Sequence, residues 1–174
     1  MAQKIKIGRL TNANIYVDGG SLLGRVEEFQ CPTLTFKQSE HKALGMNGTV
    51  EYYSGIDKME GSMKWTSYYP EFLKKMANPF KAVRIQVRGS LEEYQGGERI
   101  AQTSAVVFLT IQPKNFPLGN FQQHDNVELS TNYGCTYVRL EIGGEVITEV
   151  DVEANIFKVD GEDLLATYRQ NLGI

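Results

Sequence analysis

The side chains best suited to chemistry are few and poorly spaced for it. The chain carries two histidines, His41 and His124, and two cysteines, Cys31 and Cys135. It contains no HExxH or CxxC, and no Cys/His spacing fits a tetrahedral zinc site. His41 lies in Ser39-Glu40-His41-Lys42 and His124 in Gln122-Gln123-His124-Asp125-Asn126, so both read as solvated loop residues. No GxSxG nucleophile elbow is present. Asp18-Gly19-Gly20-Ser21 has the glycines of a phosphate loop, but no lysine and no helical pattern follow, which predicts a hairpin turn. Glu27-Glu28, Glu92-Glu93 and Glu162-Asp163 are neighbours in sequence. Adjacent side chains on a strand point to opposite faces, so none of these is an acid/base pair. Nucleophile, base and orienting group are nowhere assembled, and the expectation is a protein without catalysis, metal or cofactor.

The elements around these residues read as strands. Met59, Gly61, Met63 and Trp65 alternate with Glu60, Ser62 and Lys64. Val83, Ile85 and Val87 alternate with Arg84, Gln86 and Arg88, and Val138, Leu140 and Ile142 with Tyr137, Arg139 and Glu141. A period of two describes a strand with one buried face. Ala105-Val106-Val107-Phe108-Leu109 is apolar throughout, as in a strand covered on both faces. Asp18-Gly19-Gly20, Gly96-Gly97, Gly143-Gly144 and Asp160-Gly161 punctuate these segments as tight turns. Around 127–142 the apolar parity slips. Val127, Leu129, Tyr133 and Cys135 are odd, whereas Val138, Leu140 and Ile142 are even. A bulge near Gly134 would switch the face, and partial burial of both faces would give the same pattern. Either way some outer sheet surface is covered, and another copy of the chain could cover it.

Helix signals occur twice. Pro70 and Glu71 suit a first turn, Phe72, Leu73 and Met76 form an apolar stripe, and Asn78-Pro79 ends it. A second helix is predicted from about Glu162 to Gln170, with Leu164, Leu165 and Tyr168 on one face and Gly173 at the stop. The expected fold is mainly β, a rolled antiparallel sandwich or barrel with one or two short flanking helices.

Composition narrows the function classes. A chain of 174 residues with 41 % hydrophobic and 22 % charged residues suits one domain with a real core. No linker, repeat or low-complexity run divides it. No apolar run reaches the roughly 20 residues of a membrane helix, and MAQKIKIGRL lacks the apolar stretch of a secretory signal. Eighteen Lys and Arg against 21 Asp and Glu give a net charge of −3, the wrong sign for gripping nucleic acid by its phosphates. Two cysteines are too few for a disulfide scaffold and read as buried free thiols in a reducing compartment.

Three stretches carry a family resemblance. They are Asn14-Ile15-Tyr16-Val17-Asp18-Gly19 with Pro32-Thr33-Leu34-Thr35-Phe36-Lys37, then Gly45-Met46-Asn47-Gly48, then the last forty residues. The last runs from Tyr137-Val138-Arg139-Leu140 through Glu149-Val150-Asp151 and Val159-Asp160-Gly161 to Arg169-Gln170-Asn171-Leu172-Gly173-Ile174. The chain resembles the major tail tube protein of contractile-tailed bacteriophages and of related phage-tail-like bacteriocins. The resemblance implies a single tail tube domain over 1–174. It also implies six-membered rings, joined sheet to sheet around a lumen, that stack into a hollow tube inside a contractile sheath. DNA would pass through without specific binding, since a neutral or acidic wall does not displace its counterions.

The implied partners are other copies, the sheath, baseplate and terminator proteins, and a tape-measure protein in the lumen. The protein would sit in the virion tail and, during assembly, in the host cytoplasm. It would not bind a membrane itself. Contacts between subunits or rings are expected at Asp18, Gly19 and Gly20, at Gly45, Met46, Asn47 and Gly48 within the long polar loop from Gln38 to Gly48, and at Leu172 and Ile174. Two faces are candidates for the lumen wall, Glu60, Ser62 and Lys64 or Arg84, Gln86 and Arg88, and either could equally be an ordinary solvated face. Glu71, Lys74 and Lys75 would face the sheath. Alternatives are the tube of a type VI secretion apparatus, a bacteriocin tube without a genome, and a monomeric β-domain that binds a partner.

Overall fold

The alternating segments pair into a branched antiparallel sheet. The computed structural model describes residues 4–121 and 127–174. Strands β1 (Lys6–Val17), β2 (Gly20–Ser21), β3 (Val26–Gln30), β4 (Phe36–His41), β5 (Val50–Ile56) and β6 (Met59–Trp65) precede helix α1 (Pro70–Met76). There follow β7 (Val83–Gln95), β8 (Glu98–Pro113), β9 (Leu129–Ile142), β10 (Glu145–Asp151), β11 (Ile156–Val159), β12 (Glu162–Asp163) and α2 (Ala166–Leu172). The chain is mainly β, as expected. The main sheet runs β12-β11-β10-β9-β8-β7-β1-β2, and β6 pairs with both β3 and β9. Strands β4 and β5 form a separate hairpin.

The turns behave as the dipeptides predict. Four hairpins close over Asp18-Gly19, Gly96-Gly97, Gly143-Gly144 and Asp160-Gly161, and both residues of each have positive φ. That is the turn whose twist matches paired strands, and Gly or Asp is what tolerates it.

Strand β9 is the branch point. One edge pairs with β8 from Tyr133 to Ile142. The other edge pairs with β6 over Leu129 to Cys135, then with β10 over Tyr137 to Ile142. The register against β8 jumps at Thr136, because Thr110 opposes Tyr137 whereas Ile111 opposes Cys135. This is the bulge expected near Gly134. It keeps Leu129, Thr131, Tyr133 and Cys135 in the interior and hands the same side to Val138.

One core joins the layers. Val17, Leu22, Met63, Trp65, Met76, Ile85, Leu109, Ile111, Leu129, Tyr133 and Val150 belong to it. Trp65 is fully buried and donates its indole N–H to the Thr131 hydroxyl at 3.3 Å. On β8, Val107 and Leu109 face this core, while Val106 and Phe108 face the other way. Val106 is buried there all the same, at 4 % exposure. The Arg139 guanidinium lies over the Phe108 ring at 4.7 Å and shields it.

Helix α1 matches its expected span and buries Phe72, Leu73 and Met76. Helix α2 departs from expectation, starting at Ala166 and burying none of its residues. Glu162 and Asp163 are instead paired in β12 against Val159 and Lys158. The Asp163 carboxylate accepts the Leu165 N–H at 3.1 Å, which makes the turn that starts the helix. The C-terminal stop is as read, with Gly173 left-handed. Two further expectations are corrected. Gln38 to His41 belong to β4 and are not loop, because they pair with Val50 to Tyr53. Cys31 is exposed, and Cys135 alone is buried.

Candidate assembly surfaces

The two candidate lumen faces project from the same side of one sheet, three strands apart: Glu60 opposes Gly134, Gly134 opposes Gln112, and Thr110, on the face of Gln112, opposes Arg84. Glu60, Ser62 and Lys64 project from β6. Each is occupied: Glu60 with Lys58 and Lys114, Ser62 with Gln30 at 3.2 Å, and Lys64 with Glu27 at 3.3 Å and Glu128 at 3.2 Å. Arg84, Gln86 and Arg88 project from β7 on a much wider face. Register places Tyr16 and Asn14 of β1 beside them on one side, and Thr110, Phe108 and Val106 of β8 on the other. Tyr137, Arg139 and Glu141 of β9 extend it, then Glu149 of β10 and Lys158 of β11.

That wide face is laced by cross-strand pairs. Arg139 pairs with Glu141, and Glu149 accepts from Tyr137 at 2.9 Å and from Lys158 at 3.2 Å. Burial pushes the Glu149 carboxyl up, but these two hydrogen bonds outweigh it and hold it below the usual carboxylate range. Arg169 forks onto Asp163 at 2.6 and 3.3 Å, which keeps that carboxyl low as well. Arg84 and Arg88 make no ion pair among the described residues. Sequence reasoning missed this lattice, because it depends on register between strands far apart in sequence.

The expected contact turns fare differently. Asp18 is used within the subunit, accepting the Arg84 N–H at 3.1 Å and pairing with Lys75 at 2.8 Å. Glu71 pairs with Arg25 at 3.3 Å, so of the three helix positions only Lys74 is both exposed and, among the described residues, without an ion pair. Gly45, Met46, Asn47 and Gly48 sit at the tip of the β4–β5 hairpin, with Leu44 wholly exposed and Met46 42 % exposed. Leu172 and Ile174, at the end of α2, are 55 % and 69 % exposed. His41 ends β4 beside the Tyr52 ring. His124 and the loop end from Gln122 to Asn126 lie outside the described residues. Cys135 donates its thiol to the Tyr137 carbonyl at 2.9 Å, and burial pushes its pKa up to about 11.

A feature without a sequence-based expectation is a three-stranded ribbon. Strand β9 ends opposite Ala105, yet β8 continues outward to Glu98 with β7 and β1 beside it. Strand β2 covers β1 only at Tyr16 and Val17. Among the described residues the ribbon therefore has open backbone on both edges. Ile5, Ile7, Leu10 and Ile100 are exposed on it, by 75 %, 56 %, 59 % and 44 %. The signal was present in the alternation Lys4-Ile5-Lys6-Ile7, which names a strand but not the length by which it outruns its neighbours.

Open strand edges, exposed apolar residues and ion-paired polar faces define a β-structural protein with free sheet edges. The chain belongs to the phage tail tube protein FII family, whose model matches residues 7–173. It is 29 % identical to the tail tube protein of Escherichia phage P2, over all of this chain and 99 % of that one. It is 25 % identical to the major tail tube protein of Serratia phage KSP20, covering 86 % of each. Among solved structures, the sheath/tube terminator of an extracellular contractile injection system aligns at a TM-score of 0.53 and 8 % identity. It covers 75 % of this chain and 93 % of that one, a likeness of fold alone. The chain is a structural tail tube protein of contractile phage-like tails.

Proposed function

We propose that this chain acts as one non-catalytic domain. Six copies close side by side into a ring, and rings stack into a hollow tube inside a contractile sheath. The ribbon's open edges carry this reading. In a lone subunit they invite indiscriminate pairing, and closure around a ring removes them. The relatives named as tail tube proteins support it. The sheet then rolls into a barrel wall shared among copies.

The face of Arg84, Gln86 and Arg88 is the better lumen wall, because it continues across β1, β7, β8, β9 and β10 and its other charges are mutually paired. Arg84 and Arg88 leave that wall net positive, so DNA passing along it is expected to meet it through phosphates alone, without sequence readout and with a dependence on salt. The β6 face of Glu60, Ser62 and Lys64 turns outward as the sheet rolls past the β9 bulge, and Lys74 of α1 meets the sheath. The β4–β5 tip at Gly45 to Gly48 and the C-terminal Leu172 and Ile174 reach between rings. Sheath, baseplate, terminator and tape-measure proteins are the partners, with assembly in the host cytoplasm.

Electron microscopy of the purified protein over a range of concentrations tests this. Hexameric rings or hollow tubes of uniform width are expected. A monomer that stays monomeric even when given a matched baseplate overturns the proposal.

A further inference from the structure

The main sheet is electrically lopsided. At one edge β1 begins with Lys4, Lys6 and Arg9, all exposed and none in an ion pair among the described residues. Beyond the opposite side of β9, the β9–β10 and β11–β12 turns present Glu145, Asp160 and Glu162, likewise exposed and without an ion pair. Both patches lie at the same end of the strands. One rung of the sheet runs Ala13–Gly89–Ala105–Ile142–Glu145, and the basic residues of β1 lie beyond its first member, from Arg9 about 13 Å along the strand to Lys4 about 30 Å along it. Asp160 donates its N–H to the Ile147 carbonyl, which holds the second turn at that level.

Acidic residues within the ribbon offset part of the basic edge but leave it net positive, with Lys4, Lys6, Arg9 and Arg99 against Glu92, Glu93 and Glu98. Glu92 opposes Arg9 across the strand pair, but its hydrogen bonds go to Arg99 at 2.8 Å and Tyr94 at 2.7 Å. Glu93 opposes Gly8, on the other face from Arg9 and on the same face as Lys6. Glu98 lies on β8, two strands away, or about 10 Å at ordinary strand spacing. That exceeds the screening length of about 8 Å at physiological salt. Apolar residues accompany each patch: Ile5, Ile7 and Leu10 on β1, and Val159 and Leu164 beside β12 at 41 % and 50 % exposure.

We propose that neighbouring copies in the ring join head to tail, with the Lys4–Leu10 edge of one seated on the Glu145, Asp160 and Glu162 edge of the next. A cyclic ring needs two different, complementary patches on every copy, and these two edges are different and complementary in charge. The contact selects the next subunit and fixes which edge it offers. This inference rests on the ring reading above.

The test uses two variants of the full chain. Lys6→Glu with Arg9→Glu makes both edges acidic, and Glu145→Lys with Glu162→Lys makes both basic. Each variant alone is expected to resist ring formation, raising the concentration for half-assembly by about 100-fold or more in sedimentation velocity. An equimolar mixture restores rings, because an even-numbered ring alternating the two variants has only complementary contacts. The chain with all four changes also assembles with itself. Circular dichroism and cooperative urea unfolding check each fold, and Lys6→Gln with Arg9→Gln replaces the first variant if it fails that check. Wild-type rings together with unimpaired rings from both variants overturn this contact and leave the tube standing. Failure of the folded mixture to assemble overturns it too. Absence of wild-type rings, with baseplate supplied, overturns the tube reading itself.

Discussion

Gly61 on β6 sits where no side chain fits. A Cβ there would press on the Gln30 carbonyl oxygen and the Tyr133 hydroxyl, which are themselves hydrogen-bonded at 2.7 Å. Gly61→Ala is expected to lower unfolding stability by about 1–3 kcal/mol, read as a lower urea midpoint. The carboxylates give a pH dependence. Glu92 is held low by Tyr94 and Arg99, and Asp163 by Arg169. Hydrogen bonds from Tyr137 and Lys158 lower Glu149 against the upward push of burial. A carboxyl whose folded pKa lies below its unfolded value contributes in full above that unfolded value, roughly pH 4, and loses the contribution as pH falls through the folded one. Melting temperature should therefore hold from pH 7 to about 5 and drop below about 4. Glu149→Gln should melt lower at pH 7 and show a shallower acid drop.

At the scale of elements, the extra residue Thr136 decides how β9 serves two strand groups. Side chains on a strand alternate with period two, so losing one residue sends everything on one side of it to the wrong face. Deletion of Thr136 would turn either Leu129, Thr131 and Tyr133 or Val138 outward. The expected result is loss of cooperative unfolding by urea and poor solubility. Helix α1 shows the complementary case. Its span was readable because Pro70, the stripe of Phe72 and Met76, and Asn78-Pro79 are all local signals. Its docking was not, because the Lys75–Asp18 and Glu71–Arg25 pairs join residues about fifty positions apart.

At the scale of the whole molecule, two predictions follow from how the surfaces are shared out. Met46→Asp at the exposed β4–β5 tip should leave rings intact and shorten or abolish tubes in electron micrographs, since a charge there opposes burial between rings. Normal long tubes would remove that tip from the stacking contact. In a Cys31→Ser background, Arg88→Cys should resist a bulky maleimide once tubes form, while Ser62→Cys should stay reactive in tubes lacking a sheath. The opposite pattern would exchange lumen and outer faces.

The sequence alone determined what depends on local period and local sterics. Strand alternation set the β class, Asp-Gly and Gly-Gly placed the hairpin turns, and the parity change around Gly134 left a bulge or partial burial of both faces, between which only the register against β8 decided. The motif strings named the family. The tertiary structure decided what depends on register and on relative length. It moved Glu162 and Asp163 from a helix into a strand, because pairing with β11 satisfies their backbone groups. It also gathered Arg139, Glu141, Glu149 and Lys158 onto one face and left β1, β7 and β8 projecting past β9 with open edges. Which strands stand side by side is fixed by long-range pairing and a shared core, and no local window of residues contains that information.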